Sequence, residues 1–434
     1  MAVDSKKRAG GTGDRKQRRA RGKRTAAACI ILLLGIILAC AAAGAAYADE
    51  ACNITDECRI SVSSSNHKKI DNIRDGQYTT YWESQKTSNP WITIHSEKPV
   101  YGLYLCFQEM PGSYVIQREK SSGQWETVCE GDTRFHHAFY TLDGIKSIRI
   151  YATDNRKVVM GFNEVFVFGE GEIPDWVQRW EPVPEKAEIL FLATHPDDDI
   201  LFLGGAIAWY GVEQQRPVVV AYLTKSNTTR RSEALNGLWT LGIRTYPVFG
   251  EFRDCYSKTG KMTDAYTDTG GKKKVQGWVT ELYRRLKPEV VVTQDLNGEY
   301  GHPQHKMVAD SAAAAYSLAA DTAKFPESAE AYGTWQVKKL YIHLYGDKTE
   351  QTKFNWDVPL ESLGGKTANE KAEEAYAMHV TQKNSGKKFN NVTVIFSVAE
   401  YGVKRYPNTA FGLYASEVGP DEKHDDFLEH ISNR

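Results

Sequence analysis

The stretch Leu192-Ala193-Thr194-His195-Pro196-Asp197-Asp198-Asp199-Ile200 decides how this chain is read. Before it, Glu188-Ile189-Leu190-Phe191-Leu192 has the continuous apolar character of a short buried strand. After it, the run from Asp199 to Tyr210 predicts a mostly buried helix. Between the two, one histidine and three carboxylates enter a single turn. Pro196 suits that place, because the first helical turn offers no partner for the N–H that proline lacks. In a helical turn His195 and Asp198, three residues apart, share a face, while Asp197 points elsewhere. One carboxylate can then ligate a metal while its neighbour does chemistry. The plainer alternative is an acidic helix start, where the macrodipole favours each aspartate by roughly 0.3–1 kcal/mol.

A second segment repeats the grammar. Pro288-Glu289-Val290-Val291-Val292-Thr293 reads as a strand, and Gln294 to Glu299 as a loop. Tyr300-Gly301-His302-Pro303-Gln304-His305 follows, ahead of a helical Lys306 to Ala320. His302 and His305 again lie three apart on one face. Two helix N-termini at the carboxyl ends of strands in an open α/β sheet converge on one crevice. The combined set of His195, Asp198 and His305 offers two imidazoles and one carboxylate, which suits a catalytic zinc with an open coordination position. Iron(II) suits a similar site, since ligand type alone does not select the ion.

His195-Pro196-Asp197-Asp198 and Gly301-His302-Pro303-Gln304-His305 resemble the two signature motifs of the PIG-L/LmbE family of zinc-dependent de-N-acetylases, which act on N-acetylglucosamine-containing molecules. The resemblance implies an α/β, Rossmann-like domain with a mostly parallel sheet over residues 187–434. It implies His195, Asp198 and His305 as metal ligands, Asp197 as general base, and His302 as support for the transition state. Tyr300 matches a position associated with the oxyanion. Arg230-Arg231-Ser232-Glu233, followed by Leu241-Gly242, resembles the family's Arg-x-x-Glu helix, which makes Arg230 a substrate contact. Asp254 occupies the place of a sugar-contacting aspartate. Lys371, Ala375, His379 and Gln382 resemble a late helix of mostly structural role. Asp199 and Gln304 depart from the usual glutamate and aspartate.

The remaining sequence says where such chemistry would occur. Residues 1–24 hold ten Lys or Arg against two Asp, and the stretch from Ala26 to Ala48 is uncharged. Its apolar centre is short, and Ala46-Tyr47-Ala48 has the small-x-small form of a cleavage site, so residues 1–48 read as a secretory signal. A retained membrane anchor is the alternative, since the uncharged stretch reaches the roughly 20 residues that cross hydrocarbon. Either places the rest outside the cytoplasm, secreted or at the cell surface, with contact to the membrane only through this segment. The formal net charge of −1 becomes −9 without the first 24 residues, which argues against nucleic acid as a partner. Of seven cysteines, Cys29 and Cys40 fall in the leader. An exported context permits bridges of Cys52 with Cys58 and of Cys106 with Cys129, with connectivity open and Cys255 left over.

From residue 50 to 170 the texture changes to short strand-like runs such as Trp91-Ile92-Thr93-Ile94, Gly102 to Phe107, Trp125 to Val128, Ser147 to Tyr151 and Glu164 to Gly169. Turn-rich gaps between them predict an all-β sandwich. Asp71-Asn72-Ile73-Arg74-Asp75-Gly76 with Thr80-Tyr81-Trp82, and Phe162-Asn163-Glu164-Val165, resemble a discoidin-like (coagulation-factor type C) galactose-binding domain, a jelly roll. That resemblance implies sugar-binding loops at one end and a calcium near the Asp-Gly loop. Trp82 and Trp91 either stack on sugar or fill the core. Residues 171–186, rich in proline and charge, read as the linker.

These readings combine into an exported two-domain zinc hydrolase that deacetylates amino sugars in a glycan or glycoconjugate, with an accessory carbohydrate-binding domain. The alternatives are a zinc amidohydrolase acting on a non-sugar acylated amine and a non-catalytic carbohydrate-binding adhesion protein.

Overall fold

The computed structural model describes residues 49–431 apart from 64–65, 257–258, 347–349, 384–386, 390–391 and 395. The expected signal or anchor, residues 1–48, lies outside the described residues. Among those described, no helix is long and apolar enough to cross a membrane. Residues 52–434 form one compact unit.

The first part of that unit is antiparallel. Its strands are β1 (Arg59–Val62), β2 (Trp82–Glu83), β3 (Trp91–Glu109), β4 (Tyr114–Ser121), β5 (Gln124–Glu130), β6 (His137–Ala152) and β7 (Gly161–Phe168). They pair in the order β2-β7-β3-β6-β4-β5, with β1 also on β3. The sequence predicts several short strands, but β3 runs through two of them, and β6 begins ten residues before the run from Ser147 to Tyr151. The β3–β6 ladder breaks between His95 and Val100, where an irregularity lets a long strand bend and continue. A single hydrogen-bonded sheet thus encloses its own core, in which Trp82, Phe107, Phe162 and Ile150 are fully buried. Trp82 belongs to this core, and its Nε1 donates to the Asn66 carbonyl at 2.8 Å, so the structure assigns it packing rather than sugar stacking.

The second part carries a six-stranded sheet in the order β10-β9-β8-β11-β12-β15, with β8 (Ile189–Ala193), β9 (Val218–Thr224), β10 (Val248–Phe252), β11 (Val290–Thr293), β12 (Lys339–His343) and β15 (Phe411–Ser416). A separate hairpin joins β13 (Lys387–Phe389) to β14 (Val392–Val394). All ladders of the larger sheet are parallel except β12 with β15. Five principal helices follow in chain order: α1 (Asp198–Ile207), α2 (Thr228–Leu241), α3 (Lys272–Leu286), α4 (Pro303–Leu318) and α5 (Ala368–Tyr376). Alternate residues of β8 serve opposite faces, as strand geometry requires. Ile189, Phe191 and Ala193 pack with α1, α2 and α5, while Leu190 and Leu192 pack with α3 and α4. Coverage on both sides explains why β8 reads as an unbroken apolar run.

From β8 the chain moves outward to β9 and β10 and then returns to place β11 on the other side of β8. The carboxyl ends of β8 and β11 therefore flank the point where strand order reverses, the usual crevice of an open α/β sheet. Register pairs Leu192 with Thr293, so the two His-Pro turns leave the sheet at the same level.

The antiparallel sheet packs against α2. His137 donates from Nδ1 to Gln178 Oε1 at 2.8 Å and accepts at Nε2 from Ser232 Oγ at 3.1 Å. Thr228 and Thr229 Oγ1 donate to the carbonyls of Gln108 and Tyr78 at 3.3 and 3.2 Å. The segment expected as a linker is held here too: Val177, Gln178 and Trp180 are buried. Cys52, Cys58, Cys106, Cys129 and Cys255 are free thiols. Cys106 on β3 and Cys129 on β5 have β6 and β4 between them, and strands about 4.8 Å apart put that pair beyond disulfide reach.

Candidate active site

The turn after β8 is tied to the loop after β11 by hydrogen bonds from Thr194. The backbone N–H and the Oγ1 of Thr194 both donate to Gln294 Oε1, at 2.7 and 2.5 Å. The next residue, His195, is buried with Nδ1 at 2.9 Å from Asp198 Oδ2 and Nε2 at 2.9 Å from Gln304 Oε1. Gln304 is itself oriented, because its Oε1 accepts from the Cys255 N–H at 3.0 Å and its Nε2 donates to the Arg253 carbonyl at 2.9 Å.

Asp197 precedes α1 with φ 136° and ψ −31°. That backbone region is unfavourable for a residue with a Cβ and is found where surrounding structure enforces it, commonly at active sites. The strained turn aims Asp197 away from Asp198 and toward Arg230, which donates from Nη2 to Asp197 Oδ1 at 2.5 Å and to the Pro196 carbonyl at 2.8 Å. Arg230 Nη1 holds Asp254 Oδ2 at 2.8 Å. Arg230 stands in the first turn of α2, where Asn227 caps the helix by accepting the Arg230 N–H at 2.9 Å. In the same helix Glu233 accepts from the Thr381 N–H and Oγ1, both at 2.7 Å. The Arg-x-x-Glu spacing thus faces the site with one residue and secures the late chain with the other.

The second turn is equally supported. Tyr300 has φ 47° and ψ 23°, a second non-glycine residue in left-handed backbone. His302 caps α4, its Nδ1 accepting the Gln304 N–H at 3.2 Å. His305 Nδ1 lies 2.8 Å from Glu299 Oε2, and the other Glu299 oxygen lies 2.7 Å from His343 Nδ1. All three are fully buried. The imidazoles of His195, His302 and His305 offer ligand atoms within 4.8 Å of one another, and Asp198 Oδ2 lies 3.2 Å from His305 Nε2.

Electrostatics separate the two neighbouring carboxyls. Burial raises the Asp197 pKa to about 7, against the opposing pull of Arg230. Burial also disfavours charge on Asp198, but His305 and His195 outweigh it and hold that carboxyl well below the ordinary value. Glu299 is held at about 2 because hydrogen bonds from His305 and His343 outweigh burial. Tyr300, raised well above its ordinary value by burial and then by Asp198, keeps its hydroxyl proton. Asp198 is thus the charged partner of the histidines, and Asp197 the carboxyl poised to exchange a proton near neutrality.

The donor set fits a divalent cation. With Nδ1 engaged by Glu299, His305 keeps a buried Nε2 that has Asp198 Oδ2 3.2 Å away and makes no well-aligned hydrogen bond among the described residues. If His195 donates Nε2–H to Gln304, its Nδ1 lone pair faces the Asp198 carboxylate, two acceptors that need a proton or cation between them. A carboxylate behind a ligating histidine is the usual second support of such a site.

Every residue expected at the site meets here: His195, Asp197, Asp198, Arg230, Asp254, Tyr300 and His302 line one cavity of about 320 Å³, with His305 buried behind them. Tyr256, Gln382 and Phe396 also line it. Tyr256 is 60% exposed and stands edge-on to His302, with centroids 5.0 Å apart. Sequence reasoning left Gln382 as structural and gave Glu299, His343, Tyr256 and Phe396 no role. The Glu299 carboxylate between a helix histidine, His305, and a strand-end histidine, His343, has no local pattern, since His343 comes from β12.

Residues 190–316 match the family model described as PIG-L, GlcNAc-PI de-N-acetylase. The chain is 27% identical over 191 residues to 1D-myo-inositol 2-acetamido-2-deoxy-alpha-D-glucopyranoside deacetylase 1 of Catenulispora acidiphila, a match covering 37% of this chain and 58% of that protein. The chain thus spans somewhat over half the length of that relative. Among solved structures, it is similar to the N,N'-diacetylchitobiose deacetylase of Pyrococcus horikoshii, with TM-score 0.37, 16% identity, and coverage of 52% of this chain and 84% of that one. It is also similar to a chitosan-binding module from a Paenibacillus chitosanase/glucanase, with TM-score 0.24, 23% identity, and coverage of 27% of this chain and 99% of that one.

Proposed function

We propose that this protein is an N-deacetylase that hydrolyses the acetamide of N-acetylglucosamine-type amino sugars. The observation that carries the reading is the division of labour at one strained turn. Asp198 is committed to His195 and His305, while Asp197 projects into the same cavity beside Arg230 and Tyr300. The family match over residues 190–316 and the named activity of the Catenulispora relative support the amino-sugar substrate.

His195, Asp198 and His305 would hold zinc, with His302 adjacent to them. Zinc when bound supplies a Lewis acid for the amide carbonyl and for water. Asp197 accepts the proton of the attacking water, and Arg230 fixes its carboxylate toward the substrate. The Tyr300 hydroxyl and the His302 imidazole are the donors available to the negative charge that grows on the carbonyl oxygen. The leaving amine takes its proton from Asp197 or His302. Asp254, held by the other arm of Arg230, is placed to accept from a sugar hydroxyl.

The finer parts of the proposal are an exported enzyme working on an extracellular or surface glycan and an antiparallel domain that assists by binding carbohydrate. Calcium in that domain would use the oxygens of Asp75 and the buried Glu164 beside it. Acetate release from N-acetylglucosamine oligomers, with and without a chelator, tests the main reading. Metal-dependent release is expected, and its absence with every amino sugar would overturn it.

A further inference from the structure

Arg230 holds three partners at once: Asp197 Oδ1 at 2.5 Å, the Pro196 carbonyl at 2.8 Å and Asp254 Oδ2 at 2.8 Å. An arginine side chain gives up about 2 kcal/mol of rotamer freedom when it is fixed. Its bonds therefore keep their geometry only if the backbone that carries it is itself held.

That backbone is the first turn of α2, and the residues on either side of Arg230 are bonded to the antiparallel region. Thr228 Oγ1 donates to the Gln108 carbonyl at 3.3 Å, and Thr229 Oγ1 to the Tyr78 carbonyl at 3.2 Å. Arg231 Nη1 donates to His136 Nε2, and Ser232 Oγ donates to His137 Nε2 at 3.1 Å. Across Thr228 to Ser232, Arg230 turns to the catalytic cavity while the other four side chains reach the antiparallel region.

The acceptors are fixed in turn. Asn163 Nδ2, on β7, donates to the Tyr78 carbonyl at 3.0 Å and to Gln108 Oε1 at 3.2 Å, so one amide gathers the partners of both threonines. The Tyr78 ring stacks on His137, with centroids 5.6 Å apart and planes 20° from parallel. Because His137 Nδ1 donates to Gln178 Oε1, its Nε2 lone pair is left for Ser232. Burial lowers the pKa of His137 to about 4 and that of His136 to about 3, so both rings stay neutral acceptors near pH 7. A charged His136 would instead repel Arg231.

A surface that merely joined two domains has no need of four directed bonds around one arginine. We propose that the antiparallel region braces the active site: the Tyr78 and Gln108 carbonyls and the His136 and His137 rings are positioning groups that fix the first turn of α2, and through it the Arg230 guanidinium on the Asp197 carboxylate. The proposal rests on the deacetylase reading and gives the first domain a part in turnover that is separate from any carbohydrate it binds.

The double variant Thr228→Val with Thr229→Val removes two hydroxyls and keeps the side-chain shape, whereas Thr228→Ser with Thr229→Ser keeps the hydroxyls. Both are made in the full chain and assayed for acetate release from N-acetylglucosamine oligomers. Since a misplacement of about 1 Å costs up to roughly 10²-fold in rate, the valine pair should lower kcat about 10-fold with KM within about 2-fold of wild type. The serine pair should restore kcat, with metal content and urea midpoint at wild-type values in both. An unchanged kcat in the valine pair, a change in KM alone, or a serine pair as slow as the valine pair would overturn the brace and leave the deacetylase intact. Hydrogen exchange read by mass spectrometry gives an answer independent of turnover. Peptides covering residues 228–235 should exchange about 5-fold faster or more in the valine pair, with those of β8 and α4 unchanged. If the wild type releases no acetate from any amino sugar, the deacetylase reading fails and exchange decides. Faster exchange confined to α2 upholds the brace, and equal exchange overturns it.

Discussion

In the parallel sheet, His195, Asp197, Asp198, Glu299, His302 and His305 are buried together at the ends of two adjacent strands, whereas the antiparallel sheet buries Asn163 and Glu164 on β7 and His137 at the start of β6. In the first region each polar group is answered by another, so burial sharpens charge into opposed proton affinities at neighbouring aspartates. In the second, the buried carboxyl faces another carboxyl, and burial favours its neutral form: Glu164 is pushed up to about 8 by desolvation, with Asp75 adding to the effect. The topology accounts for the difference. Parallel strands point all their carboxyl ends to one edge, where helix N-termini gather as well, while an antiparallel sheet alternates its ends and concentrates nothing.

The sharpest way to break this comparison is Asp197→Asn. Turnover should fall by about 10²–10⁴-fold, the usual contribution of a positioned general base, while metal content measured by elemental analysis stays at the wild-type level. His305→Ala should lose both. Loss of metal in Asp197→Asn would mean that the two neighbouring carboxyls do not divide their roles as described.

On the antiparallel side, Trp82→Ala should cost about 3–5 kcal/mol in urea unfolding, the range for emptying a large aromatic site in a core. Retention of wild-type stability with weakened sugar binding would instead return Trp82 to the role of a sugar platform. An intermediate effect is expected at Glu299→Gln, where weaker support of His305 should lower metal affinity about 10–100-fold in chelator competition. An unchanged affinity would show that the Glu299 carboxylate serves packing alone.

The smallest effect concerns pH. Glu164 has its folded pKa raised from 4.5 to about 8, so the folded state binds more protons than the unfolded state between those values. Its stabilising contribution is complete below about pH 4.5 and is lost as pH rises through about 8. Glu164→Gln, unfolded by urea in the presence of a calcium chelator, should show a flatter decline across that window than the wild type. Equal slopes would mean that Glu164 does not titrate there, and a calcium-dependent reversal of the slope would indicate a bound cation.

Much of the site was legible because both turns announce themselves locally. His195, Asp197 and Asp198 fall within one turn, and His302 and His305 within another, each after a β-branched or apolar run and before a helix. The strand β4, by contrast, was passed over, since Tyr114-Val115-Ile116-Gln117-Arg118 is apolar at its start and polar after it. Even Trp82, quoted in a motif, gave two readings until its surroundings were seen.

The sequence by itself determined the two His-Pro turns, the apolar strands that deliver them and the alternating texture of the first half, because each is a pattern of neighbours along the chain. Tertiary structure alone decided that Glu299 joins His305 to His343, that Arg230 restrains Asp197, and that Phe396, Tyr401 and Tyr406 face the space beyond Tyr300. Apart from Glu299 and His305, six residues from each other, those partners are separated by tens of residues or more, and only strand order and helix packing bring them together.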